Sequence, residues 1–121
     1  MTVVLWAGVV LLGGVGAVLR FVVDRAVAGR LARSFPFGTL TVNLSGAVLL
    51  GLFGGLALSH AAALLAGTAF VGSYTTFSTW MLETQRLAEE HQIWPALANV
   101  VVSVVLGVAA AMLGQWLAGA L

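Results

Sequence analysis

The stretch from Gly72 to Trp80 is the densest cluster of polar side chains in an otherwise apolar sequence. It reads Gly-Ser-Tyr-Thr-Thr-Phe-Ser-Thr-Trp, and six of its nine residues bear hydroxyls. In lipid, such a cluster has to be hydrogen-bonded inside protein or line a wet path. We therefore expect the function of the protein to depend on this stretch.

Two structures are open for the cluster. In a continuous helix the threonines would bond back to their own carbonyls, and Phe77 and Trp80, three residues apart, would share a face in the core. Alternatively the helix breaks near Gly72–Thr75, because glycine followed by β-branched and hydroxyl residues makes a poor helix interior. A break would free backbone carbonyls, which suit a small hard cation such as Na⁺.

Two further polar pairs lie in apolar stretches: Asn43 with Ser45, and Asn99 with Ser103. Each pair alone either forms hydrogen bonds between helices or lines a pore. Together with the hydroxyl cluster they supply many donors and no carboxylate, a balance that suits a small anion. The electropositive edges of aromatic rings suit an anion as well.

Composition places the chain in a membrane. It has 121 residues, of which 61% are hydrophobic and 7% charged, with a mean hydropathy of +1.10. Soluble domains carry about 25% charged residues, so we predict an all-α integral membrane protein. The net charge of +1 gives no patch for nucleic acid. There is no cysteine, and no spacing of side chains points to an enzyme or a side-chain metal site.

Four apolar stretches reach the roughly 20 residues that a spanning helix needs. They cover residues 3–23, 38–58, 61–82 and 95–120 and make one four-helix domain over residues 1–121. The third contains the hydroxyl cluster. Pro36 and Pro95 mark helix starts. Ser59 and His60 are predicted to form a tight turn, which makes the second and third helices antiparallel neighbours.

Arginine is unevenly distributed along the chain. All five basic residues lie in or beside the loops that follow the first and third spans: Arg20, Arg25, Arg30, Arg33 and Arg86. Positively charged loops remain in the cytoplasm. We therefore predict a multi-pass protein of the cell (inner or plasma) membrane with the arginine-bearing loops cytoplasmic and both termini outside. Pairing of Arg20 with Asp24, one turn apart, would remove one charge from this bias.

Three motifs resemble those of the CrcB/Fluc family of small fluoride channels. They are Gly13-Gly14-Val15-Gly16-Ala17-Val18-Leu19-Arg20-Phe21, Gly38-Thr39-Leu40-Thr41-Val42-Asn43-Leu44-Ser45-Gly46 and Thr75-Thr76-Phe77-Ser78-Thr79. Their order and spacing match over nearly the whole chain. The resemblance implies a four-helix subunit, an antiparallel dimer and two fluoride pores. It also implies a structural Na⁺ at the dimer centre, held by carbonyls at a break in the third helix.

The resemblance also implies roles for individual residues. It assigns the Na⁺-binding carbonyls to Gly72 and Thr75, and the vestibule to Arg20. It assigns the fluoride path to the other residues that match the family motifs and to threonine hydroxyls of the cluster. These residues are Asn43, Thr76, Phe77, Thr79, Trp80 and Ser103.

Three features depart from the family pattern. The second aromatic, usually Phe, is Trp80, whose larger ring and indole donor would narrow or re-route the path. Gly72-Ser73 replaces a Gly-Gly pair, which would stiffen the break. The arginine bias would fix one orientation in the membrane, whereas an antiparallel homodimer needs both. We therefore hypothesise pairing with a homologous partner of opposite bias, as an alternative to pairing with itself.

The function that the resemblance implies is passive export of cytoplasmic fluoride. One alternative is a subunit of a small proton-coupled multidrug exporter, also an antiparallel four-helix dimer. That chemistry needs a carboxylate inside the first span, and the first acid is Asp24, at the end of the span. The other alternative is a partner subunit of a heteromeric fluoride channel that does not itself conduct.

Overall fold

All the regular secondary structure in the described part of the chain is helical. The computed structural model describes residues 2–31 and 34–121, and Arg33, one of the arginines counted above, lies outside these ranges. The helices are, in chain order, α1 (Val3–Arg30), α2 (Phe37–Gly55), α3 (residues 60–74), α4 (Ser78–Glu89) and α5 (Ile93–Ala120). Three of them, α1, α2 and α5, have the length and apolar composition to cross a membrane.

The third predicted span is divided between α3 and α4. Within α3, one α-helical turn (His60–Ala63) leads into a π-helix (Leu64–Val71) and a last turn (Gly72–Tyr74). A π-helix is wider than an α-helix, is rare, and often occurs near functional sites.

Several helix bounds differ from the sequence-based prediction. The first helix passes residue 23 and continues to Arg30, because arginine and alanine sustain a helix outside the apolar stretch. The last helix begins before Pro95, which occupies its first turn, where a missing N–H has no helical partner. The prediction of a turn at Ser59 and His60 is wrong by a few residues, since the turn covers residues 56–59 and His60 already belongs to α3. The Ser59 hydroxyl caps α3 by accepting a hydrogen bond from the N–H of Ala62 at 3.2 Å.

Contacts between helices fix the directions in which they run. Along α1, Gly8 faces Leu65 and Gly16 faces Tyr74 of α3, so these two helices run in the same direction. The last helix likewise runs parallel to α2. By contrast, α2 runs antiparallel to α3, since Ser45 bonds to Tyr74 at 2.9 Å near the end of α3. This alternation is that of a bundle in which the chain reverses after each span.

The most extensive helix pair is α2 with α5. Gly51 packs against the backbone of Ala111, and Gly114 packs against the backbone of Val48 and Leu52, with no space for a methyl group at either glycine. Close backbone approach through small residues is how membrane helices associate without a hydrophobic effect between them. Gly55, one turn after Gly51, meets Ala118 of α5 in the same way, whereas a methyl group at Gly107 would meet nothing within 4 Å.

Candidate functional site

The helical hydrogen-bond pattern of the third span is interrupted after Tyr74. Thr75 is extended, with φ −83° and ψ 162°, and α4 begins only at Ser78. Before the interruption, the hydroxyls of Ser73 and Thr75 donate to carbonyls three or four residues earlier, at 2.8 to 3.0 Å. The back-bonding expected of a continuous helix is therefore present on the N-terminal side of the interruption.

The side chain of Asn43, on α2, pairs with the backbone of the interruption. Its Nδ2 donates to the carbonyl oxygen of Thr76 at 2.9 Å, and the N–H of Thr76 donates to its Oδ1 at 2.8 Å. One amide side chain thus satisfies both backbone groups of a residue that lies outside any helix. Gly46 permits this approach, because a methyl group there would collide with Cγ2 of Thr75.

Several backbone carbonyls lose their helical donors at this point, among them those of Gly72 and Thr75. In a continuous α-helix, the N–H of Thr76 would donate to Gly72, and the N–H of Thr79 would donate to Thr75. Instead, the N–H of Thr76 donates to Asn43, and that of Thr79 donates to Oγ1 of Thr76 at 3.1 Å. The carbonyls without these donors are neutral oxygen ligands of the kind that bind Na⁺ where a membrane helix is unwound. They fit the cation that the family resemblance implies.

A cavity of about 230 Å³ lies between α1, α2 and the interruption. Arg20 lines it from α1, Thr39 from α2, and Thr76 and Thr79 from the third span. Thr39 is 2% exposed, and its Oγ1 has no hydrogen-bond partner among the described residues. The carboxylate of Glu83 lies close to it, and Oε1 of that carboxylate is likewise buried without a hydrogen bond. A small rearrangement or a bridging water would satisfy both atoms, since buried polar groups are normally hydrogen-bonded. A guanidinium together with hydroxyl donors is the chemistry of a small-anion site.

A second cavity, of about 300 Å³, shares Asp24 with the first. Its charged lining residues are Asp24, Glu83, Arg86 and Glu90. The carboxylate of Asp24 lies against Gly38, in the first turn of α2, where an added methyl group would overlap it. The N–H groups at a helix N-terminus favour a negative charge, so α2 offsets the charge of Asp24 beside the first cavity.

The two aromatic residues of the cluster form an edge-to-face pair. The ring centroids of Phe77 and Trp80 are 5.7 Å apart and the ring planes meet at 82°. Phe77 is 70% exposed. The indole Nε1 of Trp80 donates to the backbone carbonyl of Asn99 at 3.1 Å, and the buried Asn99 amide donates to Thr84 Oγ1 at 2.8 Å. The indole donor is therefore used within the subunit, and Asn99 joins α5 to α4 by hydrogen bonds.

Trp80→Phe is expected to lower the free energy of unfolding by about 1 kcal/mol, because the hydrogen bond to Asn99 is lost. Trp116→Phe is the matched control, since that ring is 68% exposed. Unfolding of both purified variants in a detergent–denaturant titration measures the difference. Equal destabilisation by the two substitutions would contradict a contribution from the indole hydrogen bond.

The structure brings some of the sequence-predicted residues together and leaves others apart. Arg20, Thr76 and Thr79 line the 230 Å³ cavity. The other predicted path residues lie outside its lining: Asn43, Phe77, Trp80 and Ser103. Thr39 is a polar lining residue to which the motifs assigned no role. Its position four residues before Asn43, on the same face of α2, is the signal that could have found it.

A family model described as "CrcB-like protein, Camphor Resistance (CrcB)" matches residues 7–115 of the chain. Among curated proteins, the chain is 71% identical over 118 residues to "Fluoride-specific ion channel FluC 2" of Mycobacterium tuberculosis, covering 98% of this chain and 94% of that protein. It is 75% identical over 117 residues to the protein of the same name from Mycolicibacterium paratuberculosis, covering 97% and 96%.

A more distant relative extends this similarity. "Fluoride-specific ion channel FluC 1" of Leifsonia xyli is 42% identical over 123 residues, covering 98% of this chain and 90% of that protein. The similarity to each of these three relatives therefore extends over nearly the whole chain.

Proposed function

Since the chain belongs to the CrcB family, a family of multi-pass membrane proteins, we propose that it is a subunit of a passive fluoride channel. The observation that carries this proposal is the cavity lined by Arg20 and by the threonines Thr39, Thr76 and Thr79. The names of the relatives support fluoride as the ion. Family membership favours a channel over the multidrug exporter.

Fluoride is small and strongly hydrated, so a path across the bilayer has to replace its water with donors. Arg20 attracts the anion, and the hydroxyls of Thr39, Thr76 and Thr79 offer the first donors. Asn43 has two amide hydrogens, and only one of them is used by Thr76. The second remains for the anion.

Beyond these donors, the aromatic pair supplies ring edges, which carry partial positive charge. The edge-to-face arrangement of Phe77 and Trp80 holds the rings at a fixed angle. Ser103, on α5, adds a hydroxyl farther along the path. Phe77, which is largely exposed in the single subunit, is the ring that a second subunit would cover.

The direction of transport follows from acid–base chemistry. Hydrogen fluoride enters a cell as the neutral acid and dissociates inside. A conducting path for the anion then lets the membrane potential, negative inside, drive fluoride out. No proton-coupled carboxylate is needed for this export.

We further propose an antiparallel dimer with two pores and a structural Na⁺ at its centre. Support comes from the carbonyls of Gly72 and Thr75, which lack their helical donors, and from the exposure of Gly72 on the surface of the subunit. Na⁺ bound there would hold the interruptions of two subunits together through neutral oxygen atoms.

The arginine bias bears on which chains pair. It favours cytoplasmic arginine-bearing loops and termini on the outside. Such a chain forms an antiparallel dimer with itself only if some copies insert the other way. The alternative is a homologous partner with the opposite bias.

Fluoride efflux from liposomes tests the proposed function. Liposomes loaded with potassium fluoride and containing only the purified chain are expected to release fluoride rapidly once valinomycin is added. Parallel liposomes loaded with potassium chloride should release little chloride. Fast fluoride-selective efflux would establish that the chain forms a channel without a homologous partner.

Other outcomes separate the alternatives. Efflux only after co-reconstitution with a homologue would assign the chain to a heteromer. Variants of its path residues would then distinguish a conducting from a non-conducting subunit. Chloride efflux as fast as that of fluoride, or no fluoride efflux in any pairing, would contradict the proposal.

A further inference from the structure

The interruption of the third span is maintained by two side-chain acceptors rather than by its own backbone. Oδ1 of Asn43 accepts a hydrogen bond from the N–H of Thr76 at 2.8 Å. Oγ1 of Thr76 accepts one from the N–H of Thr79 at 3.1 Å. Each acceptor replaces a carbonyl that would have received that N–H in an α-helix. The carbonyls replaced in this way are those of Gly72 and Thr75.

Peptide geometry also fixes where one of these carbonyls points. The Thr75 carbonyl and the Thr76 N–H belong to one peptide group, which is planar and trans, so the two point in opposite directions. Because the N–H is directed at Asn43 on α2, the Thr75 carbonyl is directed away from α2. The hydrogen bond that the Thr76 N–H donates to Asn43 therefore orients the Thr75 carbonyl, although Asn43 itself is not a ligand of the cation.

We propose that Asn43 and the Thr76 hydroxyl are positioning residues for the Na⁺ site, because they free and orient the carbonyls of Gly72 and Thr75. This inference rests on the proposed function, which places Na⁺ at the interruption. It assigns Asn43 a second role besides donating to the anion. The same amide group then connects the fluoride path with the cation site.

Na⁺ binding can be read without any measurement of fluoride transport. A ligand that binds only the folded protein raises its melting temperature with increasing concentration. The purified full-length chain in detergent is titrated with NaCl against choline chloride at constant ionic strength, and unfolding is followed by tryptophan fluorescence. The Na⁺ concentration giving half-maximal stabilisation reports the affinity.

Four variants test the two acceptors. Thr76→Val and Asn43→Leu remove an acceptor, and each should raise the half-maximal Na⁺ concentration by about 10- to 100-fold, the usual effect of losing a group that orients a metal ligand. Thr76→Ser keeps the hydroxyl and should stay within about threefold of the parent. Asn43→Asp keeps an acceptor for the Thr76 N–H but loses the Nδ2 donor to the Thr76 carbonyl, so its value should fall between those of Asn43→Leu and the parent. Thr68→Val, an exposed threonine of α3, is the matched control and should leave the value unchanged.

The rescue pairs keep the test valid if one variant folds poorly, since Thr76→Val is compared with Thr76→Ser, and Asn43→Leu with Asn43→Asp. Equal Na⁺ dependence in all variants would overturn the positioning role. A parent chain that conducts fluoride but shows no Na⁺ dependence would overturn this inference and leave the channel standing. Na⁺ dependence that shifts as expected in a chain without fluoride conduction would contradict the proposed function and retain the positioning role.

Discussion

Asn43→Asp is expected to reduce fluoride efflux by about a thousandfold. The substitution keeps the size of the side chain but places a negative charge beside the proposed anion path. Two like charges about 4 Å apart repel by about 4 kcal/mol at an effective dielectric constant of about 20, and each 1.4 kcal/mol corresponds to a factor of about ten. The same variant keeps an acceptor for the Thr76 N–H, and Na⁺-dependent stabilisation measured on it shows whether a loss of efflux reflects a collapsed interruption.

Efflux from liposomes of matched protein content measures this effect. Gln85→Glu makes the same change of amide to acid on an exposed side chain of α4, and it should conduct like the parent. An Asn43→Asp variant that conducts within about tenfold of the parent would show that Asn43 does not face the fluoride path.

Gly114→Ala is expected to destabilise the subunit by about 3 kcal/mol, a large effect for one added methyl group. That methyl group would overlap the carbonyl oxygen of Val48 and lie 2.7 Å from the amide nitrogen of Leu52. Both are backbone atoms of α2, so the clash can be relieved only by moving one helix away from the other. The α2–α5 pair would lose its close approach along its whole length.

Gly107→Ala, on the same helix, is expected to stabilise the subunit instead of destabilising it. A methyl group at Gly107 meets nothing within 4 Å, and alanine favours a helix over glycine by about 1 kcal/mol. The yield of monodisperse protein and the free energy of unfolding in detergent measure both variants. Equal effects of the two substitutions would contradict the close α2–α5 packing.

The sequence predicts features that depend on composition or on local spacing. Glycine and hydroxyl residues around Gly72 indicated an interruption, and the described helices end at Tyr74 and resume at Ser78. Local signals failed at the end of α1, since hydropathy marks where an apolar stretch stops but not where a helix stops.

Other features depend on partners distant in sequence. Asn43 was recognised as a polar residue of the path, but its bonds to the backbone of Thr76 involve no complementary side chain that a motif could reveal. The indole of Trp80 likewise meets a backbone carbonyl, that of Asn99. Thr39 became a site residue only when the fold left its hydroxyl without a partner.

The parallel pairing of α2 with α5 has a consequence for biosynthesis. The two helices are separated in the chain by all of α3 and α4, so α2 enters the membrane long before α5 has been translated. During that interval the glycine face of α2 has no permanent neighbour and is open to lipid, to the translocation machinery or to another nascent chain. The subunit therefore reaches its native packing only after translation of its last helix, and it is most exposed to misassembly just before that.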